Sequence, residues 1–320
     1  MTEMNPRTKK VYDSQRNKMM NACDCGEMET CFTEQHIDKL DTFLDGIENI
    51  NTRKNYLANI VSYITHMSED QKDKSYEYMN EHSLSDILAH YRAKMMELCA
   101  ICNNVAKSQQ KTPKQEDDWM SLNELQKLRK EMLQKIKDKS NPTWKDIQPF
   151  FVSSLYLADE SNPPIRNEYG DMTVVYEKDG IHSTDKTRNY LVITGRNKKY
   201  FMLNDYKTVK THGAKLFKVG PKLNKIINQF IKFHPIDTDT KPESPLLFNT
   251  QGGALSRNGL TKYLQNKVFT KNDKKISSTM LRHIYISEKI EGPLLKVKQD
   301  LADKMCHSTN LQELYKKENV

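Results

Sequence analysis

Residues 278–320 read STMLRHIYISEKIEGPLLKVKQDLADKMCHSTNLQELYKKENV. Three side chains in this stretch stand out by their chemistry: Arg282, His307 and Tyr315. Arg282 falls near the start of a helix-like run. His307 follows a second short run, LKVKQDLADKMC, and Tyr315 comes eight residues after it, about two helical turns. Cutting a phosphodiester without metal or water takes a held hydroxyl to attack phosphorus and cations to take up charge on the non-bridging oxygens. It also takes an acid to protonate the leaving oxygen. A phenol suits the first task because its anion leaves more readily than an alkoxide, so the covalent link is reversible. A guanidinium suits the second, since its planar fork meets two phosphate oxygens and never loses its charge. Lysine or histidine suits the third.

The rest of the chain bounds what such a tail can serve. At 320 residues it is long enough for two domains, each burying its own core. Charged residues make up 29% of it and the mean hydropathy is -0.80, which predicts a polar, soluble protein. No window approaches the apolar run of a membrane span, and MTEMNPRTKKVYDSQRNK at the start lacks the apolar core of a signal peptide. We therefore expect an intracellular protein that needs no membrane. Charge is unevenly spread. Residues 1–118 carry 15 Lys+Arg against 20 Asp+Glu, a net of -5, and the remainder carries 35 against 22, a net of +13. A polyanion-binding surface is expected mainly in the C-terminal part. Of the six cysteines, Cys23, Cys25 and Cys31 (CDCGEMETC) do not have zinc-ribbon spacing, and no histidine pairs with them. Cys99 and Cys102 form CAIC within an apolar helix. Reduced thiols and no bound metal are the expectation.

The first third reads as helical. TEQHIDKLDTFLDGI places Ile37, Leu40, Phe43 and Leu44 on one face, with Thr33 as its cap. NTRKNYLANIVSYITHM repeats the pattern with Tyr56, Ile60, Tyr63 and Ile64, flanked by Leu57 and Val61. LSDILAHYRAKMMELCAICNNV is a third amphipathic run, with Ser85 as a candidate cap. KSQQKTPKQEDD, without apolar residues and broken by Pro113, reads as a linker. The boundaries are then a helical domain at 1–107, a linker at 108–118 and a second domain at 119–320. In the second domain, helices over LNELQKLRKEMLQKI and TWKDIQPFFVSSLYLA give way to β-like alternation in MTVVYE, NYLVIT, KYFMLNDYKTVK and KLFKVG. Helices return with GPKLNKIINQFIKF, LSRNGLTKYLQNKVF and the tail. The expected fold class is mainly α with a small antiparallel β-sheet, and Trp119 and Trp144 read as core.

LADKMCHSTNLQELY resembles the C-terminal signature of tyrosine recombinases, the phage-integrase family, with Cys306 where glycine is usual. The resemblance implies that Arg282, His307 and Tyr315 are catalytic. NPPIRNEYGDM resembles the block holding the family's first arginine, in the form found in large DNA viruses, virophages and crypton-like elements, which implies Arg166. YKTVKTHGAKLFKV resembles the hairpin bearing the catalytic lysine. Its two Lys-Thr pairs leave Lys207 and Lys210 open, with Lys207 favoured. The family commonly has histidine three residues before the second arginine. Here that position is Thr279, whose hydroxyl hydrogen-bonds but does not titrate.

The resemblance covers residues 119–320 and, more loosely, the helical N-terminal part as a core-binding domain that clamps DNA. It implies cleavage through a 3′-phosphotyrosyl intermediate without metal or cofactor, with double-stranded DNA and further copies of the chain, four on two sites, as partners. No small-molecule substrate is implied. Lys198, Lys199, Lys210 and Lys215 then read as phosphate contacts beside the site. Two other outcomes stay open: a type IB topoisomerase-like relaxing enzyme, and a non-catalytic DNA-binding protein derived from a recombinase.

Overall fold

The structure is a computed structural model that describes residues 6–67, 83–177, 185–235, 243–270, 273–289, 301–305 and 315. It divides into two compact units, Met1–Ser108 and Gln109–Val320.

The first unit is helical: α1 (Pro6–Cys23), α2 (Glu34–Asp45), α3 (Ile50–Thr65) and α4 (Leu84–Lys107). The expected stripes are the ones that pack. Leu40 and Leu44 of α2, Leu57, Ile60 and Ile64 of α3, and Ile87 and Tyr91 of α4 are buried in one cluster. α1 has no clear apolar stripe, and Val11 on it is exposed. Met19 and Cys23 near its C-terminal end are buried in the same cluster, and a polar peg attaches the turns before them. Asn59 is fully buried, accepts from Arg16 Nε at 3.0 Å, and donates to the Tyr12 carbonyl at 2.9 Å and to Gln15 Oε1 at 3.2 Å. The cap of α4 is Ser83 rather than Ser85. Its hydroxyl accepts from Asp86 N–H, and the Asp86 carboxylate returns the bond to Ser83 N–H, closing a capping box two residues earlier than the expected cap.

The second unit begins inside the expected linker. Thr112, Pro113 and Gln115 form a capping box with proline at the first helical position, which starts a short helix, α5 (Pro113–Asp118). Lys111 stacks on the Trp119 ring and Asp118 accepts from Lys275 N–H, so this segment is attached to the unit that follows it. Next come α6 (Leu122–Lys137) and α7 (Trp144–Leu157); from Phe150 to Leu157 every residue of α7 is buried. The strands are β1 (Thr173–Tyr176), β2 (Tyr190–Gly195), β3 (Lys198–Leu203), β4 (Lys215–Lys218) and β5 (Glu243–Pro245), in the order β4-β3-β2-β1-β5. The sheet is mixed rather than antiparallel throughout: β1 and β2 run parallel, in register Thr173↔Tyr190 to Tyr176↔Ile193. The link over 177–189 has the length a parallel return needs, roughly a dozen residues, where a tight turn would have forced an antiparallel pair.

β3 and β4 form an antiparallel hairpin whose connection holds a one-turn helix, α8 (Val209–His212). Further along the chain lie α9 (Pro221–Phe230), α10 (Arg257–Tyr263) and α11 (Ser278–Lys289). The core packs α7 against Leu191, Phe201, Leu223, Leu260 and Leu281. α9 is anchored by Asp159, which follows α7. Its carboxylate accepts from Lys222 N–H at 2.7 Å and Leu223 N–H at 3.3 Å. The Cα of Gly220 lies so close that a Cβ there would meet this carboxylate at 2.3 Å. Among the described residues no helix is long and apolar enough to cross a membrane.

Candidate active site

α11 carries Arg282, the arginine of the tail. Its apolar residues Met280, Leu281 and Ile284 face the core, and that packing draws Arg282 inside with them. Arg282 has no exposed surface. Its Nη1 donates to the hydroxyl of Tyr315 at 3.0 Å, and its guanidinium carbon lies 4.4 Å from the centre of the tyrosine ring. A fixed positive charge therefore touches both the oxygen and the π-face of one phenol, across 33 residues of sequence. Arg282 Nε and Nη2 are buried and have no hydrogen-bond partner among the described residues. A buried guanidinium with two open donors in one plane is shaped to receive two oxygens of an anion.

The neighbouring residue completes the seat of the tyrosine. His283 Nδ1 lies 2.7 Å from the Tyr315 carbonyl oxygen, and the two rings are 4.7 Å apart. That matches a buttress, as its position next to Arg282 on the helix suggests. Ile286 and Met305 form a small buried cluster against which Tyr315 packs.

Arg166 sits in the loop after α7. Its backbone is set by Tyr156, whose hydroxyl donates to the Arg166 carbonyl at 2.9 Å, and by Asn167, which donates to Thr261 Oγ1 at 2.8 Å. Gly170 is required nearby, because a Cβ there would meet the Ser256 carbonyl at 2.8 Å and Arg257 Cα at 2.9 Å. The Arg166 side chain is half-buried. Burial lowers the proton affinity of Arg282; the phenol of Tyr315 opposes this and the charge of Arg166 adds to it, so the two arginines share one electrostatic neighbourhood. Arg282 nevertheless stays protonated.

Two residues of this neighbourhood escaped the sequence reading. Glu168 is buried, and burial pushes its carboxyl above the usual range against the pull of Arg166, Arg257 and Arg282. It is a carboxyl acted on by three guanidinium groups, and its Oε2 has no hydrogen-bond partner among the described residues. Arg257, at the start of α10, joins the Arg166 loop to the lysine turn. Its Nε donates to Asp171 at 2.9 Å, and its Nη2 donates to the Asp205 carbonyl at 2.8 Å and to Asp205 Oδ2 at 3.0 Å. The available signal was the acidic pair in RNEYGD, two and five residues after Arg166; nothing local marked Arg257 as the partner.

Lys207 is exposed in the turn between β3 and α8, two residues after Asp205, and Lys210 is exposed on α8. Asn189 holds that turn, accepting from the N–H groups of Asn204 and Asp205 at 2.9 Å each. Among the described residues no hydrogen bond or ion pair joins either lysine to Arg282 or Tyr315. Thr279 is exposed on the first turn of α11, three residues before Arg282 and so on the same side of the helix. His307 lies outside the described residues.

Of the remaining lysines, Lys198 is exposed and Lys215 half-buried. Lys199 must be withdrawn as a phosphate contact. It is 2% exposed, and its ammonium donates to the Arg196 carbonyl at 2.7 Å, Asn224 Oδ1 at 3.0 Å and Asn228 Oδ1 at 2.6 Å. Strand alternation turns Lys198 out and Lys199 in, and the asparagines of α9 satisfy the charge there.

No protein-family model matches the chain, and no curated protein does. Among solved structures it is similar to the crystal structure of XerA recombinase, at a TM-score of 0.39 and 12% identity, over 99% of this chain and 88% of that one.

Proposed function

We propose that this chain is a tyrosine recombinase-type DNA strand transferase. The observation that carries the reading is the buried guanidinium of Arg282, hydrogen-bonded to the hydroxyl of Tyr315 with two donors left open. In the proposed reaction a DNA phosphate enters the open fork of Arg282, with Arg166 beside it. The Tyr315 oxygen attacks phosphorus and its proton passes to a base. A new O–P bond forms, the bond from phosphorus to the 5′ oxygen breaks, and Lys207 gives that oxygen its proton. The 3′-phosphotyrosyl link conserves the bond energy, and attack by a 5′ hydroxyl reverses the step. His307 assists at the phosphate in this scheme. Lys198, Lys210 and Lys215 add phosphate contacts that hold the duplex and fall off with salt.

The signature residues of the tail and of the Arg166 and Lys207 blocks favour exchange between two DNA sites over relaxation of one. Four copies on two duplexes are the assembly such exchange needs, and integration or excision of a viral or mobile genome is the role that fits. Thr279 favours one other reading, a DNA-binding protein that has lost cleavage, because a threonine neither gives nor takes a proton.

A suicide DNA substrate that traps the covalent intermediate separates them. The wild-type chain should form a DNA adduct that survives denaturation and Tyr315→Phe should form none. Failure of both proteins while DNA is still bound would leave the non-catalytic reading. Relaxation of supercoiled plasmid with no exchanged product would point instead to a type IB topoisomerase.

A further inference from the structure

The sequence spacing of Cys23, Cys25 and Cys31 argued against a metal, yet the fold brings their three Sγ atoms within 4.8 Å of one another. They come from three different pieces of local structure. Cys23 ends α1, Cys25 lies just past that end, and Cys31 is in the one-turn helix Glu29–Phe32 ahead of α2. The turn between the first two is specialised. Cys25 N–H bonds back to the Met20 carbonyl at 3.0 Å and Asp24 N–H to the Asn21 carbonyl at 3.4 Å, a Schellman closure of the helix. Asp24, between the cysteines, takes the left-handed φ of 54° that this closure requires. A residue in the ordinary extended region would send Cys25 away from Cys23. The left-handed turn folds it back toward the pair of buried sulfurs.

We propose that Cys23, Cys25 and Cys31 form a three-thiolate site for a zinc-class divalent cation. Sulfurs bound to one tetrahedral zinc at about 2.3 Å stand about 3.8 Å apart, between the 2.6 Å of the Cys25–Cys31 pair and the 4.8 Å that bounds the cluster. Cys23 and Cys31 are fully buried, while Cys25 is half-buried, so the fourth position of a tetrahedron opens on the solvent side and takes water or an outside ligand. Binding exchanges three S–H bonds for three S–metal bonds and releases three protons to solvent. The site would carry a net negative charge, and Lys39 lies on that side. Its ammonium pairs with Asp24, between the first two cysteines, at 3.1 Å. The consequence is structural: the ion ties the end of α1 to the entry of α2 within the first unit.

The rival is a redox pair, because Cys25 Sγ and Cys31 Sγ are 2.6 Å apart. The full-length chain, reduced and stripped with a chelator, is titrated with Co²⁺ and then with Zn²⁺. We expect one Co²⁺ per chain, a sulfur-to-cobalt charge-transfer band with the intense visible bands of a tetrahedral ion, and loss of both on adding Zn²⁺. Cys25→Ser and Cys31→Ser should each abolish the band, whereas the double variant Cys99→Ser/Cys102→Ser should leave it intact. Cys25 is partly exposed, so its serine variant is the one expected to keep the wild-type circular dichroism. The proposal is overturned if the reduced wild type shows no thiolate band, or if a folded Cys25→Ser variant keeps it. It is equally overturned if Cys99→Ser/Cys102→Ser is the variant that loses it. A Cys25–Cys31 disulfide in air, with no cobalt bound after reduction, would assign the cluster to redox chemistry.

Discussion

Replacing Tyr315 with phenylalanine removes one oxygen and leaves the ring over Arg282. The lost contact is the 3.0 Å hydrogen bond from a buried, charged donor, while the stacking at 4.4 Å survives. Hydrogen bonds to charged groups contribute about 1.5–3 kcal/mol, and here the donor belongs to a buried guanidinium. Stability should fall by that amount. At roughly 2–4 °C per kcal/mol for a unit of this size, the melting temperature drops by about 3–12 °C. Cleavage and DNA binding should respond differently. The covalent adduct disappears completely because phenylalanine has no nucleophile. Binding to uncleavable DNA holds within a few-fold, since Arg282 then has three free donor positions for phosphate. Denaturant unfolding, adduct trapping and DNA titration measure the three effects separately. An adduct at the wild-type rate would show that another residue attacks the phosphate. Stability unchanged to within about 0.5 kcal/mol would show that the arginine and the phenol do not meet in solution.

Arg257→Ala cuts the link between the Arg166 loop and the Lys207 turn. It should lower the adduct rate by more than it lowers DNA affinity, with partial rescue by Arg257→Lys; an equal loss of both would make Arg257 a simple phosphate contact. Lys199→Met should destabilise the chain by about 1–3 kcal/mol by orphaning the asparagine acceptors, yet leave the salt dependence of DNA binding unchanged. A shallower salt slope would restore Lys199 to the DNA-binding set. Asp159 has burial raising its carboxyl pKa and the N–H groups of Ser161, Leu223 and Lys222 lowering it, with the net shift downward. Its stabilising effect is therefore fully present above the ordinary carboxyl range and lost as pH falls through the depressed folded value. Asp159→Asn should be less stable than wild type at neutral pH, with the gap narrowing as pH falls through and below the ordinary carboxyl range; unfolding curves showing a constant gap would remove the charge from the account.

Much of the helical framework was legible because it rests on local periodicity. Leu40 with Leu44, and Leu57 with Ile60 and Ile64, recur at the spacing that puts them on one face, and those faces are buried. Where the sequence reading missed, a tertiary or polar contact had replaced the apolar signal. α1 is held by Asn59 in addition to Met19 and Cys23, and the expected linker at 108–118 contains α5 because Thr112 and Gln115 cap it. Lys199 looked like its neighbour Lys198 because strand alternation alone does not say which face the asparagines of α9 will cover. The parallel pairing of β1 with β2 was equally hidden, since alternation reports burial and not strand direction.

By itself the sequence determined the kinds of chemistry available: a phenol, two arginines and a set of lysines, carried on elements whose apolar spacing was already clear. Only the tertiary structure decided which of them meet. It placed Tyr315 on Arg282, set Glu168 among three guanidinium groups, bridged two loops with Arg257 and gathered three cysteines around one point. The physical reason is that helices and strands are set by neighbours a few residues apart. A buried charge must find its partner wherever packing brings the chain back, and its cost unpaired is what keeps that distant contact in place.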